Sequence, residues 1–154
     1  MDATNAVVTA RLAQPEELEQ MESRLIESGF TFSDIRTTPC FVAEQDGRLI
    51  GLLVARLLTE PVSIWQGEPL LVFPEVENVS TRRRAMYLLW REFEQWLQSD
   101  LNGSGFRRFL AITYDTKAKQ LFTHAGLTKL EACDAQPFAH LTTDEGAEFF
   151  IRQL

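Results

Sequence analysis

Residues suited to redox or metal chemistry are scarce in this chain, with two cysteines and two histidines among 154 residues. Cys40 and Cys133 are far apart and show no metal-ligand spacing. Two reduced thiols in a cytoplasm-like compartment are expected rather than a disulfide. His124 and His140 form no HExxH-type pair, so no protein-bound metal is expected. No apolar run approaches the roughly 20 residues that a membrane-spanning helix needs. The opening MDATNAVVTA lacks a basic segment followed by an apolar one, so neither a secretory leader nor a membrane partner is expected, and a cytoplasmic location is. Basic residues are outnumbered, and the net charge of −7 argues against a general nucleic-acid binder. Repeats and low-complexity segments are absent.

What remains is an ordinary globular composition, 45% apolar and 24% charged, long enough for one domain over residues 1–154. Residues 7–13 read as a first strand. Pro15 suits the first position of a helix over 15–28, where its missing N–H costs nothing. Glu16 and Glu17 favour the positive end of that helix, and Gly29 closes it in the left-handed conformation. Two strands, 40–44 and 48–58, flank Asp46-Gly47, a strong hairpin signal because both residues tolerate positive φ. Gly51 inside the second strand marks a bulge or a close backbone approach. Residues 59–69, with two prolines and a glycine, read as a loop carrying an exposed Trp65.

The segment 70–127 is the most informative. A strand at 70–73 continues irregularly through Pro74 to Val79, and alternation sets Glu75 and Glu77 on one face. A helix over 81–99 has an apolar stripe at Ala85, Leu89, Phe93, Trp96 and Leu97. Its first turn carries Arg82, Arg83 and Arg84, three cations that oppose the helix dipole. Either an anion or neighbouring carboxylates such as Glu75 and Glu77 must compensate them. A buried-type strand follows at 109–114. Asp115 or Thr116 then caps a helix that buries Ala118, Leu121, Phe122 and Ala125 and ends at Gly126. A strand or hairpin around Pro137 and a last helical turn or two over 145–153 complete the chain. The order β-α-β-β-β-α-β-α-β implies an α/β (α+β) fold, a mixed, mostly antiparallel sheet flanked by helices.

This order resembles the GNAT superfamily of acyl-CoA-dependent N-acyltransferases over nearly the whole chain. The family's Arg/Gln-x-x-Gly-x-Gly/Ala turn aligns on Arg82-Arg83-Arg84-Ala85-Met86-Tyr87, with Ala85 and Tyr87 in place of the glycines. Its later motif, Asn-x-x-Ala-x-x-aliphatic-Tyr-x-x-x-Gly-Phe, aligns on Asp115, Ala118, Leu121, Phe122, Gly126 and Leu127. Phe122 stands where many members have a proton-donating tyrosine, and it has no proton to give.

The resemblance implies acetyl-CoA as co-substrate and an amine as acceptor. It implies phosphate contacts from Arg82, Arg83, Arg84 and the Ala85 region, and further cofactor contacts at Asp115 and Phe122. Backbone bonds from a splayed strand near 71–76, Val76 included, would hold the acyl carbonyl and the pantetheine. Glu75 or Glu77 would accept the amine proton, and Tyr114 or His124 would replace the missing acid. The plainer reading makes the two glutamates ordinary strand-edge carboxylates and His124 a helix-terminus contact. A homodimer or a protein partner is compatible with the pattern. The competing function is a non-catalytic GNAT-like binding or structural module, similar to degenerate domains among phage accessory and virion proteins. A third is an acyl-CoA sensor.

Overall fold

The computed structural model describes residues 7–30, 38–58, 64–99, 101–103, 107–113, 116–142 and 146–154. Among the described residues, seven strands follow the order β1-β2-β3-β4-β5-β7-β6. They are β1 (Val8–Leu12), β2 (Cys40–Gln45), β3 (Arg48–Leu58), β4 (Ile64–Val72), β5 (Arg108–Thr113), β6 (Thr128–Lys129) and β7 (Glu148–Gln153). The helices are α1 (Leu18–Glu27), α2 (Val79–Gln98), α3 (Thr116–His124) and α4 (Ala132–Ala135). Pairing is antiparallel for β1 with β2, β2 with β3, β5 with β7 and β6 with β7, and parallel for β4 with β5. The chain gathers into two compact units, Met1–Arg56 with Gly67–Ser99, and Leu57–Gln66 with Asp100–Leu154.

In the first unit, alternation sorts the strands between two helices. Cys40, Val42, Leu52 and Val54 form one core with Met21 and Leu25 of α1 and with Phe73. Neighbouring positions face α2, where the Phe41 ring meets Phe93 edge-on at 6.2 Å and Trp96 at 6.4 Å. Of the predicted α2 stripe, Ala85, Leu89, Phe93 and Leu97 are fully buried, and Trp96 is partly buried. The helix starts at Val79, two residues earlier than expected. At the end of α1, Gly29 has φ +88°. Its N–H reaches Ile26 O, and the Phe30 N–H reaches Leu25 O. This pair of bonds satisfies the last carbonyls of the helix. The first helical residues, Pro15–Glu17, form a 3₁₀ turn.

The β2–β3 hairpin turns at Asp46 (φ +54°) and Gly47 (φ +73°), as expected. Both readings of Gly51 hold. The register slips between Ala43 and Glu44, opposite it. A Cβ at Gly51 would also stand 2.9 Å from the Leu71 carbonyl.

In the second unit, Ile64, Leu110, Phe138 and Phe149 form the core, with Leu58, Ile112 and Leu141 packed against it. α3 ends in the predicted way, with Gly126 at φ +88°. The carbonyl of Ala125 accepts from Arg152 Nη1 at 2.7 Å. Cys40 is buried and Cys133 exposed, and neither is in a disulfide.

Four expectations are corrected. Residues 64–69 are not loop but the start of β4, and Trp65 is buried rather than exposed. Two prolines and a glycine hid a strand whose side chains are needed in the core. Residues 131–142 are not a strand or hairpin but α4 followed by a 3₁₀ helix, Gln136–Leu141, with Pro137 in its first turn and Phe138 buried. Residues 148–153 are not helical but β7, whose buried Phe149 and Phe150 face opposite sides of the sheet. The α3 residues expected to be buried are less so: Ala118, Phe122 and Ala125 are partly buried, and Leu121 is 52% exposed.

Candidate functional site

The first unit holds a cavity of about 670 Å³ at the end of its strands, beside the hairpin, the exit of β4 and the start of α2. Its charged lining is mixed. Arg11, Arg24 and Arg48 stand among Glu17, Glu44, Glu75 and Glu77. Arg11 is committed: Nη1 and Nη2 donate to the Glu17 carboxylate at 2.7 and 2.9 Å, and Nε reaches Glu44 at 3.4 Å. That pairing, with a bond from the Gln14 N–H, holds the Glu17 carboxyl below the usual range.

The exit of β4 is a turn. Phe73 still donates its N–H to Ile50 O in β3. Pro74 and Glu75 are then the central turn residues, closed by Val76 N–H to Phe73 O at 3.0 Å. Proline suits the first central position because its φ is already set. Residues 74–79 therefore do not continue the strand, and strand alternation does not place Glu75 and Glu77.

Two arginines grip this turn. Arg24 of α1 pairs bidentately with the Glu75 carboxylate. Its guanidinium also lies 4.2 Å from the centre of the Phe73 ring. The bond from Arg24 is the main reason the Glu75 carboxyl is held below its ordinary range. Arg82, from α2, donates Nη1 to Phe73 O at 3.0 Å and to Val76 O at 2.8 Å, and Nη2 to Val72 O at 3.3 Å.

The start of α2 completes the site. Asn78 is its N-cap, with its side-chain oxygen accepting from the Thr81 N–H at 3.0 Å. Its carbonyl accepts from the Arg82 N–H. Geometry leaves the N–H groups of Val79 and Ser80 without an intrahelical acceptor. Both residues are exposed.

The expected site residues thus separate. Glu75, Val76 and Glu77 line the cavity together with Asn78 and Thr81. Val76 has both backbone groups engaged, its N–H by Phe73 and its carbonyl by Arg82, and so has no free N–H for an acyl carbonyl. Glu75 is neutralised by Arg24 and is a poor proton acceptor. Of the arginine triplet, Arg82 closes the first turn of α2, and Arg83 and Arg84 lie just past it. Arg82 turns inward to the carbonyls, while Arg83 and Arg84 are exposed, with Arg84 5.8 Å from the centre of the Tyr87 ring. Ala85 is fully buried in the second turn, so its amide lies in the helical ladder. Tyr87 is 51% exposed and does not point into the core. Phe122 belongs to the second unit, where its ring meets Phe150 edge-on at 5.5 Å. Tyr114 and Asp115 lie outside the described residues.

Asn78 has a local signal that the alignment on Arg82 passed over. Asn directly ahead of an amphipathic run is an N-cap pattern. Arg24 has none, since its partner is 51 positions away. Among the described residues, no group of three His, Cys, Asp or Glu side chains is placed to hold a metal ion. No described helix is long and apolar enough to cross a membrane.

No protein-family model matches this sequence, and no curated protein does. Its fold is nevertheless shared with solved acetyltransferases. Arabidopsis thaliana Naa50, in complex with the bisubstrate analogue CoA-Ac-MVNAL, is 9% identical with a TM-score of 0.62, covering 96% of this chain and 99% of its own. An acetyltransferase from Thermus thermophilus is 18% identical with a TM-score of 0.60, covering 97% and 99%. N-acetylglutamate synthase from Neisseria gonorrhoeae, complexed with coenzyme A and N-acetyl-glutamate, is 16% identical with a TM-score of 0.61. The match covers 97% of this chain, which spans only 36% of that synthase. The chain has a GNAT-like fold.

Proposed function

We propose that this protein is an acyl-CoA-dependent N-acyltransferase that moves an acetyl group to a primary amine. The observation that carries the reading is the likeness in fold, over nearly the whole chain, to acetyltransferases solved with coenzyme A or a bisubstrate analogue. The exposed start of α2 adds to it, because two unpartnered amides at the positive end of a long helix suit a phosphate.

In the proposed reaction the neutral amine attacks the thioester carbonyl carbon. The carbon–sulfur bond breaks, coenzyme A leaves as thiolate, and the amine nitrogen gives up a proton. With Glu75 paired to Arg24, Glu77 is the cavity carboxylate assigned to receive that proton, directly or through water. Tyr114 remains the sequence-based candidate for returning a proton to the thiolate. Arg83 and Arg84 are the exposed cations assigned to the cofactor's phosphates.

Titration calorimetry with coenzyme A, followed by thiol-release assays with acetyl-CoA and a panel of amines, tests the reading. Binding with amine-dependent thiol release is expected. No heat at millimolar coenzyme A ends it.

The engaged backbone of Val76 and the neutralised Glu75 favour a second reading, a GNAT-like module that does not catalyse. It predicts no thiol release with any amine and a stable protein partner on mass-spectrometric capture.

A further inference from the structure

We propose that Arg82 is a positioning residue for the acyl donor, which it never touches, and that it takes over the role of a glycine-rich turn. This rests on the acyltransferase reading. No residue from Val72 to Arg82 is a glycine, and none of these residues has a positive φ. The chain between β4 and α2 therefore has no special backbone conformation to fix its course. Its carbonyls are gathered by a side chain instead. One planar guanidinium, with donors in a rigid fork, spans Val72 O, Phe73 O and Val76 O within 2.8 to 3.3 Å. Its own backbone N–H closes the N-cap by bonding Asn78 O. A single residue thus ties the last residue of β4, the turn and the first turn of α2 into one rigid piece. The Val79 and Ser80 amides lie on that piece, three and two residues before Arg82, and their direction follows from it. Arg24 cannot substitute, because it holds the Glu75 carboxylate and the Phe73 ring rather than the carbonyls.

The test compares wild type with Arg82→Gln, Arg82→Lys and, as a control on the same helix, Arg91→Gln. Coenzyme A affinity and stoichiometry are read by calorimetry, and KM for acetyl-CoA and for the amine by thiol release. Arg82→Gln is expected to weaken coenzyme A by about tenfold or more, since it leaves at least two charge-assisted bonds unmade. Arg82→Lys is expected to fall between, because an ammonium is a point charge that cannot span three carbonyls. KM for acetyl-CoA should rise with Kd while KM for the amine holds. A merely structural role would lower the stoichiometry as molecules unfold and leave the Kd of the folded fraction alone. That outcome, or wild-type affinity in both Arg82 variants, overturns the proposal and spares the acyltransferase reading. If Arg82→Gln does not fold, the Kd and stoichiometry of Arg82→Lys decide on the same criteria. A wild-type protein that binds no coenzyme A overturns both.

Discussion

The first unit makes two sharp reversals by opposite means. The β2–β3 hairpin turns on its own backbone, with Asp46 and Gly47 at positive φ. The turn from β4 to α2 has no such residue and is held by Arg82 and Arg24 acting from two helices. A turn of the first kind is written in two adjacent letters. A turn of the second kind is written in residues 51 positions apart. The difference teaches where a fold can lose its glycines: wherever a fixed side chain can collect the carbonyls that a special backbone would otherwise arrange.

Removing the surface on which the side-chain turn rests is expected to have the largest effect. Phe73 is fully buried, packs with Met21 and Leu25, and lies beneath Arg24. Phe73→Ala should destabilise the protein by about 3–5 kcal/mol, read from denaturant unfolding. A loss under about 1 kcal/mol would mean that the ring does not anchor the turn.

The hairpin should be easier to damage locally and harder to damage remotely. Gly47→Ala forces an alanine to φ +73°, with open space around its Cβ. The expected cost is about 1 kcal/mol, purely conformational. Coenzyme A affinity should fall less in this variant than in Arg82→Gln, although Gly47 lines the same cavity. An equal loss of affinity in both would erase the contrast between the two turns.

The smallest effect belongs to the Arg24–Glu75 pair, because Glu75 is about half exposed. A double-mutant cycle with Arg24→Gln and Glu75→Gln should give a coupling of about 0.2–1 kcal/mol at pH 7 and low salt. The folded-state pKa of Glu75 lies below its unfolded value, so this stabilisation is full above the ordinary carboxylate pKa. It is lost as pH falls through the folded-state value. Glu75→Gln should therefore flatten the acid limb of the stability profile. A coupling that grows on acidification would contradict the pairing.

Much of the fold was legible because its signals are local. The α2 stripe, the closing glycines Gly29 and Gly126, and the Asp46-Gly47 hairpin each needed only neighbouring residues. The misreadings share a cause. Residues 64–69 became strand despite Pro61, Pro69 and Gly67, because Ile64 and Trp65 are wanted in a core. Residues 148–153 carry the β-prone Phe149, Phe150 and Ile151, and antiparallel pairing with β5 fixes them as strand. The site was less legible still. Aligning on Arg82 set the start of α2 too late, and the mistake moved attention from Asn78, Val79 and Ser80 to Ala85. Nothing near Glu75 in sequence announces Arg24.

The two cysteines give the molecule an internal clock. Cys133 is exposed on the short helix α4, so a thiol reagent meets it at once. Cys40 opens β2 in the core beside α1, and burial pushes its pKa up to about 11. Its thiolate is scarce and sheltered, and alkylation there must wait for the strand to come loose. Two labelling rates in one native sample therefore separate chemistry at a surface from the opening of the sheet that carries the candidate site.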